Sequence, residues 1–145
     1  MKIAIACDHG AYHLKETVKK HLTEQGHEVK DFGTNSLDSC DYPDYAGPAA
    51  QAVASGECER GIVLCTTGIG VSITANKVKG IRCALLSDLL SAKMTRQHND
   101  TNVMAMGAAI VGEMLALQIV DTWLGTEFEG GRHQRRVDKI MAYEG

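Results

Sequence analysis

At positions 64–72 the chain reads LCTTGIGVS. A thiol, Cys65, closes the apolar run GIVLC, and Thr66, Thr67, Gly68, Ile69 and Gly70 lead from it into helix-like sequence. Successive amides in a glycine-containing strand-to-helix turn make a nest for negative charge. Three familiar anion loops do not fit. The lysine of G-x-x-x-x-G-K-[ST] is missing. Position 73 is Ile, where G-x-G-x-x-G needs its third glycine, and position 71 is Val, where C-x5-R needs arginine. What remains is a thiol beside a cradle for an oxyanion. A cysteine ahead of a helix N-terminus is suited to act as base or nucleophile. The plainer alternative is a small buried residue before a tight turn.

Three other clusters carry chemistry. Asp8-His9 follows the first strand-like run. The carboxylate can cap a helix, hold a sugar hydroxyl or orient a histidine, and the imidazole can meet a phosphate. His9 and His13 stand four apart as a metal pair would, but no third ligand lies at a supporting spacing. His98-Asn99-Asp100 offers a general acid or a helix C-cap. Arg132 and Arg136 share one helical face behind Gly130-Gly131. Two guanidinium forks on one face suit a phosphate group, and a solvated basic face is the alternative.

The elements that position these groups read as alternating strands and helices. Strands are expected at 2–7, 27–33, 60–65, 81–87 and 101–107. Helices are expected at 12–25, 45–55, 69–78, 88–99, 108–125 and 130–145, with 34–44 as a loop. The 60–65 run reads as buried on both faces. Such alternation specifies an α/β sandwich around a mainly parallel sheet. Ligands of such sheets sit at the carboxyl ends of strands where strand order reverses. Asp8-His9 and Cys65–Gly70 both fall at strand ends.

A chain of 145 residues with 44% hydrophobic and 23% charged residues suits one domain with a real core. The net charge of -3 provides no general attraction for nucleic acid or an anionic membrane. No apolar run is long enough to span a bilayer, and MKIAIACDHG reads as a first strand rather than a signal peptide. Five cysteines without a C-x-x-C pair suggest reduced, cytoplasmic thiols.

Five ordered blocks together resemble the type B ribose-5-phosphate isomerases and their relatives, the galactose-6-phosphate isomerase subunits. The blocks are Asp8-His9-Gly10, Asp41-Tyr42-Pro43, the Cys65–Gly70 loop with Ala75-Asn76-Lys77, Arg96-Gln97-His98-Asn99-Asp100, and Gly130-Gly131-Arg132-His133. The resemblance spans 1–145. It implies a single-domain, Rossmann-like three-layer α/β sandwich with a five-stranded parallel sheet. It also implies a homo-oligomer, dimer or tetramer, with shared sites and the C-terminal helix (about 131–143) near the subunit interface. The implied reaction interconverts ribose 5-phosphate and ribulose 5-phosphate through an enediolate, with no cofactor and no metal.

Roles follow from the same resemblance. Cys65 is the base and Thr67 assists proton movement. The amides of Thr66, Thr67, Gly68, Ile69 and Gly70 hold the enediolate. His98 opens the sugar ring with Asp8, His98 and Asn99 coming from the partner chain. Tyr42 lines the pocket, and His9, Arg132 and Arg136 hold the phosphate. Two positions depart from the family pattern. Thr66 follows the cysteine where Gly or Ser is common, and a β-branched residue disfavours positive φ. Ala109 stands where relatives often carry Arg or Lys. Alternatives are therefore a six-carbon 6-phosphate such as allose or galactose, an unphosphorylated pentose, or a non-catalytic sugar-phosphate binding module. The galactose-6-phosphate enzyme typically needs two unlike subunits. This chain carries both the cysteine loop and the arginine helix, which favours a self-sufficient homo-oligomer.

Overall fold

The computed structural model describes residues 1–145. Five parallel strands, β1 (Lys2–Cys7), β2 (Glu28–Asp31), β3 (Arg60–Cys65), β4 (Cys83–Leu85) and β5 (Val103–Gly107), form one sheet in the order β2-β1-β3-β5-β4. Six helices connect and cover them: α1 (Tyr12–Glu24), α2 (Pro43–Ala54), α3 (Ile69–Asn76), α4 (Leu89–Asn99), α5 (Glu113–Gly125) and α6 (Arg132–Met141). The expected α/β sandwich is the observed one. From β1 the chain winds outward to the β2 edge, then returns to lay β3 on the other side of β1. Strand order reverses between β1 and β3, so Asp8 and Cys65 leave the sheet side by side.

Side-chain size sorts the two faces. Ile3, Ile5, Ile62, Leu64, Met104 and Met106 point to one face, where Leu14, Val18 and Leu22 of α1 and Ile119, Val120 and Trp123 of α5 meet them. Ala4, Ala6, Val63, Cys65 and Ala105 point to the other. Small strand residues there let the alanine-rich α2 (Ala46, Ala49, Ala50) lie close to the sheet. Each fully buried Ile, Leu or Met contributes about 1.5–3 kcal/mol. Alternation along β3 thus decides that Cys65 faces α2 and α3, not the α1–α5 layer.

Several element limits differ from the sequence expectation, four of them near the site or at the sheet edges. β2 and β4, the sheet edges, keep four and three residues. α2 begins earlier, with Pro43 in its first turn, where a missing N–H costs nothing. α5 begins at Glu113 rather than at 108. The amides of Ala108 and Ala109 instead donate to the carbonyls of Cys65 and Thr66, at 2.8 and 2.9 Å. That stretch is committed to the turn after β3 and cannot start a helix.

A buried lysine ties the β2 end to α1. Lys15 is fully buried, and its ammonium lies 2.9 Å from both oxygens of Asp31, 2.6 Å from the Thr34 carbonyl and 2.8 Å from Asn35 Oδ1. Burial pushes the Asp31 carboxyl up. Lys15, the Gly33 amide and Lys19 outweigh it and hold the group below the ordinary carboxylate range. Asp31 therefore contributes stability above about pH 4 that is lost as pH falls through its lowered value. Two outcomes follow for urea unfolding. Lys15→Met, which leaves Asp31 only Lys19 and the Gly33 amide, lowers stability by about 1–3 kcal/mol at neutral pH. Asp31→Asn flattens the acid limb of the stability profile, and an unchanged limb would contradict this assignment.

Candidate active site

The site is built where β1 and β3 end. Asp8 is buried and extended (φ −96°, ψ −175°), and its carboxylate accepts the Gly10 amide at 3.0 Å. It is a cap, as local sequence allows, and it also lines a cleft of about 400 Å³ with Cys65, Thr66, Thr67 and Gly70. Tyr42, Ile69 and Ile73 complete the walls.

Cys65 is 5% exposed, and its Sγ accepts the Gly68 amide at 3.2 Å. That contact fixes the sulfur at the mouth of the turn. The turn's single left-handed residue is Gly68 (φ +79°), so Thr66 keeps negative φ and its β-branch is accommodated. The amide of Ile69 meets Thr67 Oγ1 at 3.3 Å. The amides of Thr66, Thr67 and Gly70 donate to no other group of the chain. Three free donors beside one sulfur make the cradle that the sequence suggested.

Backbone contact fixes this turn. A Cβ on Gly107 would lie 2.4 Å from the Thr67 carbonyl carbon, so β5 and the turn touch through bare main chain. A Cβ on Gly70 would meet the Tyr42 ring at 2.5 Å. Tyr42 therefore stacks on the start of α3 and walls the cleft.

The remaining sequence candidates fall in two places. His9 stands beside Asp8, half-buried, with Nδ1 accepting the Cys40 amide at 3.2 Å. His98, Asn99, Arg132 and Arg136 do not join the Cys65 cleft within one chain. His98 and Asn99 edge a separate depression of about 400 Å³ against β4 and α4. Arg132 and Arg136 are exposed at the start of α6. There the His98 and His133 rings stack, 4.2 Å apart and 12° from parallel. Burial, then the charges of His98 and Arg132, hold His133 below the usual histidine range, with Glu129 opposing.

Sequence reading missed Ile73, Glu129 and His133 as site neighbours. Ile73 follows Ile69 by one helical turn, and the two are 56% and 50% exposed. That exposed apolar pair at a helix start was the available signal. Glu129 and His133 carry an i, i+4 spacing that signals contact only if a helix begins near Gly130.

The largest cavity, about 510 Å³, lies elsewhere, among Arg82, Cys83, Asn99, Met141 and Tyr143. Burial pushes its thiol, Cys83, up to about 12, and Cys7 likewise to about 12. Neither is a base near neutral pH. The smaller cleft is the one that combines a thiol with free amides and a carboxylate.

A parallel α/β sheet with a thiol, a carboxylate and free amides at its switch point is the arrangement that carbonyl proton transfer needs. The chain belongs to the ribose/galactose isomerase family, whose model matches residues 3–140. It is 54% identical over 143 residues to ribose-5-phosphate isomerase B of Escherichia coli (strain K12), covering 99% of this chain and 96% of that one. It superposes on ribose-5-phosphate isomerase B of Clostridium thermocellum with a TM-score of 0.98 and 55% identity, covering 99% of this chain and 97% of that chain. The Mycoplasma genitalium enzyme with bound ribulose-5-phosphate matches with a TM-score of 0.95 and 42% identity, covering 99% and 95%.

Two measurements check the site's geometry. Gly107→Ala forces the Thr67 main chain away and lowers turnover on the order of 100-fold, while circular dichroism stays native. Brief iodoacetamide treatment at about pH 8 leaves Cys7 and Cys83 unmodified by mass spectrometry, because reaction needs the thiolate.

Proposed function

We propose that the chain interconverts ribose 5-phosphate and ribulose 5-phosphate, with Cys65 as the base. One observation carries the reading: Cys65, Asp8 and three free amides open on one cleft. Cys65 Sγ takes the C2 proton of the open-chain aldose, and the electron pair moves onto the carbonyl oxygen. The amides of Thr66, Thr67 and Gly70 receive the enediolate charge, while the Gly68 and Ile69 amides hold Cys65 Sγ and Thr67 Oγ1. The Thr67 hydroxyl relays a proton between the two oxygens, and Cys65 returns its proton to C1. Fixed donors aimed at developing charge contribute about 3–4 kcal/mol each to such a barrier. His9 takes one side of the phosphate.

The ring-opening acid comes from a second copy. Asp8 alone has no imidazole opposite it, and His98 lies outside the cleft of its own chain. Ile69, Ile73, Leu85, Leu89, Leu90 and Met94 are exposed on α3, β4 and α4, and Ile69 and Ile73 of this face wall the cleft. A homo-oligomer that covers this face brings His98 of the partner subunit and Asn99 of the partner subunit over Asp8. Arg132 and Arg136 share α6 with His133, which stacks on His98, so they travel with it and complete the phosphate site near the interface. No helix is long and apolar enough to cross a membrane. All five cysteines are unpaired, which suits a reducing cytoplasm.

A different sugar is the second reading, favoured by Ala109. It is exposed on the turn after β5, where its methyl offers a phosphate nothing. Comparing kcat/KM across pentose 5-phosphates, hexose 6-phosphates and free pentoses decides between substrates. A pure binding module would turn over none of them.

Cys65→Ala is expected to lower kcat about 1000-fold or more with the fold intact. Mixing inactive Cys65→Ala and His98→Asn subunits tests the shared site. A randomly exchanged dimer pool regains about one quarter of wild-type activity, because each mixed dimer holds one complete site. No recovery after verified subunit exchange would place both residues in one chain's site.

A further inference from the structure

At the α4–α6 junction three side chains converge that the isomerase reading uses only in part. His98 lies in the last turn of α4, His133 in the first turn of α6, and Glu129 just before α6. Glu129 Oε1 lies 3.4 Å from His133 Nε2 and 3.6 Å from His98 Nε2. One ligand atom from each lies within 4.8 Å of the other two.

The two Glu129 separations are longer than a charged hydrogen bond and close to the spacing of two ligands on one ion. A charge-assisted N–H···O contact is about 2.7–2.9 Å long. Around a tetrahedral ion with bonds of about 2.0–2.1 Å, neighbouring ligand atoms stand about 3.3 Å apart. The backbone holds the set in place. The Glu129 amide donates to the Gln97 carbonyl at 3.1 Å, next to His98, and the His133 amide donates to the Gly130 carbonyl at 3.1 Å. The His133 side chain is 7% exposed. It makes no ring hydrogen bond within the chain, and Glu129 reaches it only at ion-pair distance. Its ring nitrogens are therefore available to a ligand that approaches beside Glu129.

We propose that His98, Glu129 and His133 bind a divalent transition metal of the zinc class, and that occupancy inhibits the enzyme by withdrawing His98 from ring opening. The inhibitory half rests on the isomerase reading; the binding half does not. Two imidazoles and one carboxylate suit zinc, cobalt or nickel rather than magnesium or calcium. The stacked rings must open so that both nitrogens face one ion. His98, one third exposed, is the ring free to tilt while buried His133 stays fixed. Arg132 and Arg136 on the same helix oppose a cation and keep the affinity below that of a resident structural site. Reversible loading fits a regulatory ion better than a permanent one.

The test titrates the full chain with Co²⁺ and Zn²⁺, following calorimetry and, for cobalt, visible absorption. The expected result is one ion per chain without a sulfur-to-cobalt band, and binding weakened about 10–100-fold in both Glu129→Gln and His133→Gln. Zinc is then expected to lower wild-type turnover of ribose 5-phosphate reversibly by chelator. Each variant, measured against its own metal-free rate, loses that sensitivity. Absence of binding, unchanged affinity in both variants, or a thiolate band pointing to Cys65 would overturn the site. Binding that leaves turnover untouched would retain the site and overturn its link to His98. A chain with no isomerase activity leaves the calorimetric result standing alone, so the two readings fail separately.

Discussion

The main chain of the turn after β3 lies directly against β5, with no side chain between them. Thr67 occupies the space that a Cβ on Gly107 would fill, and Gly68 presses on the Met106–Gly107 peptide. The amides of Ala108 and Ala109 return to the carbonyls of Cys65 and Thr66. Those two bonds use the Cys65 and Thr66 carbonyls, and the amides of Thr66, Thr67 and Gly70 stay free. A loop that instead turned its N–H groups inward would satisfy itself and hold no anion. Contact with β5 thus orients the cradle toward solvent and sets Cys65 beside it.

Chemistry at this position is a matter of environment more than of residue type. Cys7 ends β1 as Cys65 ends β3, yet Cys7 points into the large-residue core, where burial pushes its thiol up to about 12. Cys65 points to the small-residue face, ends at the strand crossing and receives an amide from Gly68. The alternation of sheet faces separates a thiol packed in the core from one that lines the cleft. The same logic applies to Asp8 and Asp31. One carboxylate is spent on a single amide and opens on the cleft, while the other is enclosed by two lysines and an amide.

Much of this arrangement is legible in the amino-acid sequence. Strand and helix periodicity locates every element, and the strand-end rule points to Asp8 and Cys65. The boundary at 108–112 is not legible, because alanines there have high helix propensity. Only the hydrogen bonds to Cys65 and Thr66 explain why they form a turn. Thr66 raises the question of loop shape, and the fold answers it by placing positive φ at Gly68 alone. The meeting of Glu129, His98 and His133 depends on how α6 docks on α4, which no local pattern encodes. The separation of His98 from Cys65 within one chain is expected only from the family resemblance.

The central claim is that one sulfur moves hydrogen between two carbons while neighbouring amides hold the charge. Proton NMR of ribose 5-phosphate turnover in D2O tests it most directly. Deuterium is expected at C1 of the ketose and at C2 of recovered aldose with the wild-type chain, and at neither with Cys65→Ser under the same conditions. Wash-in at the wild-type rate after that substitution would contradict the account.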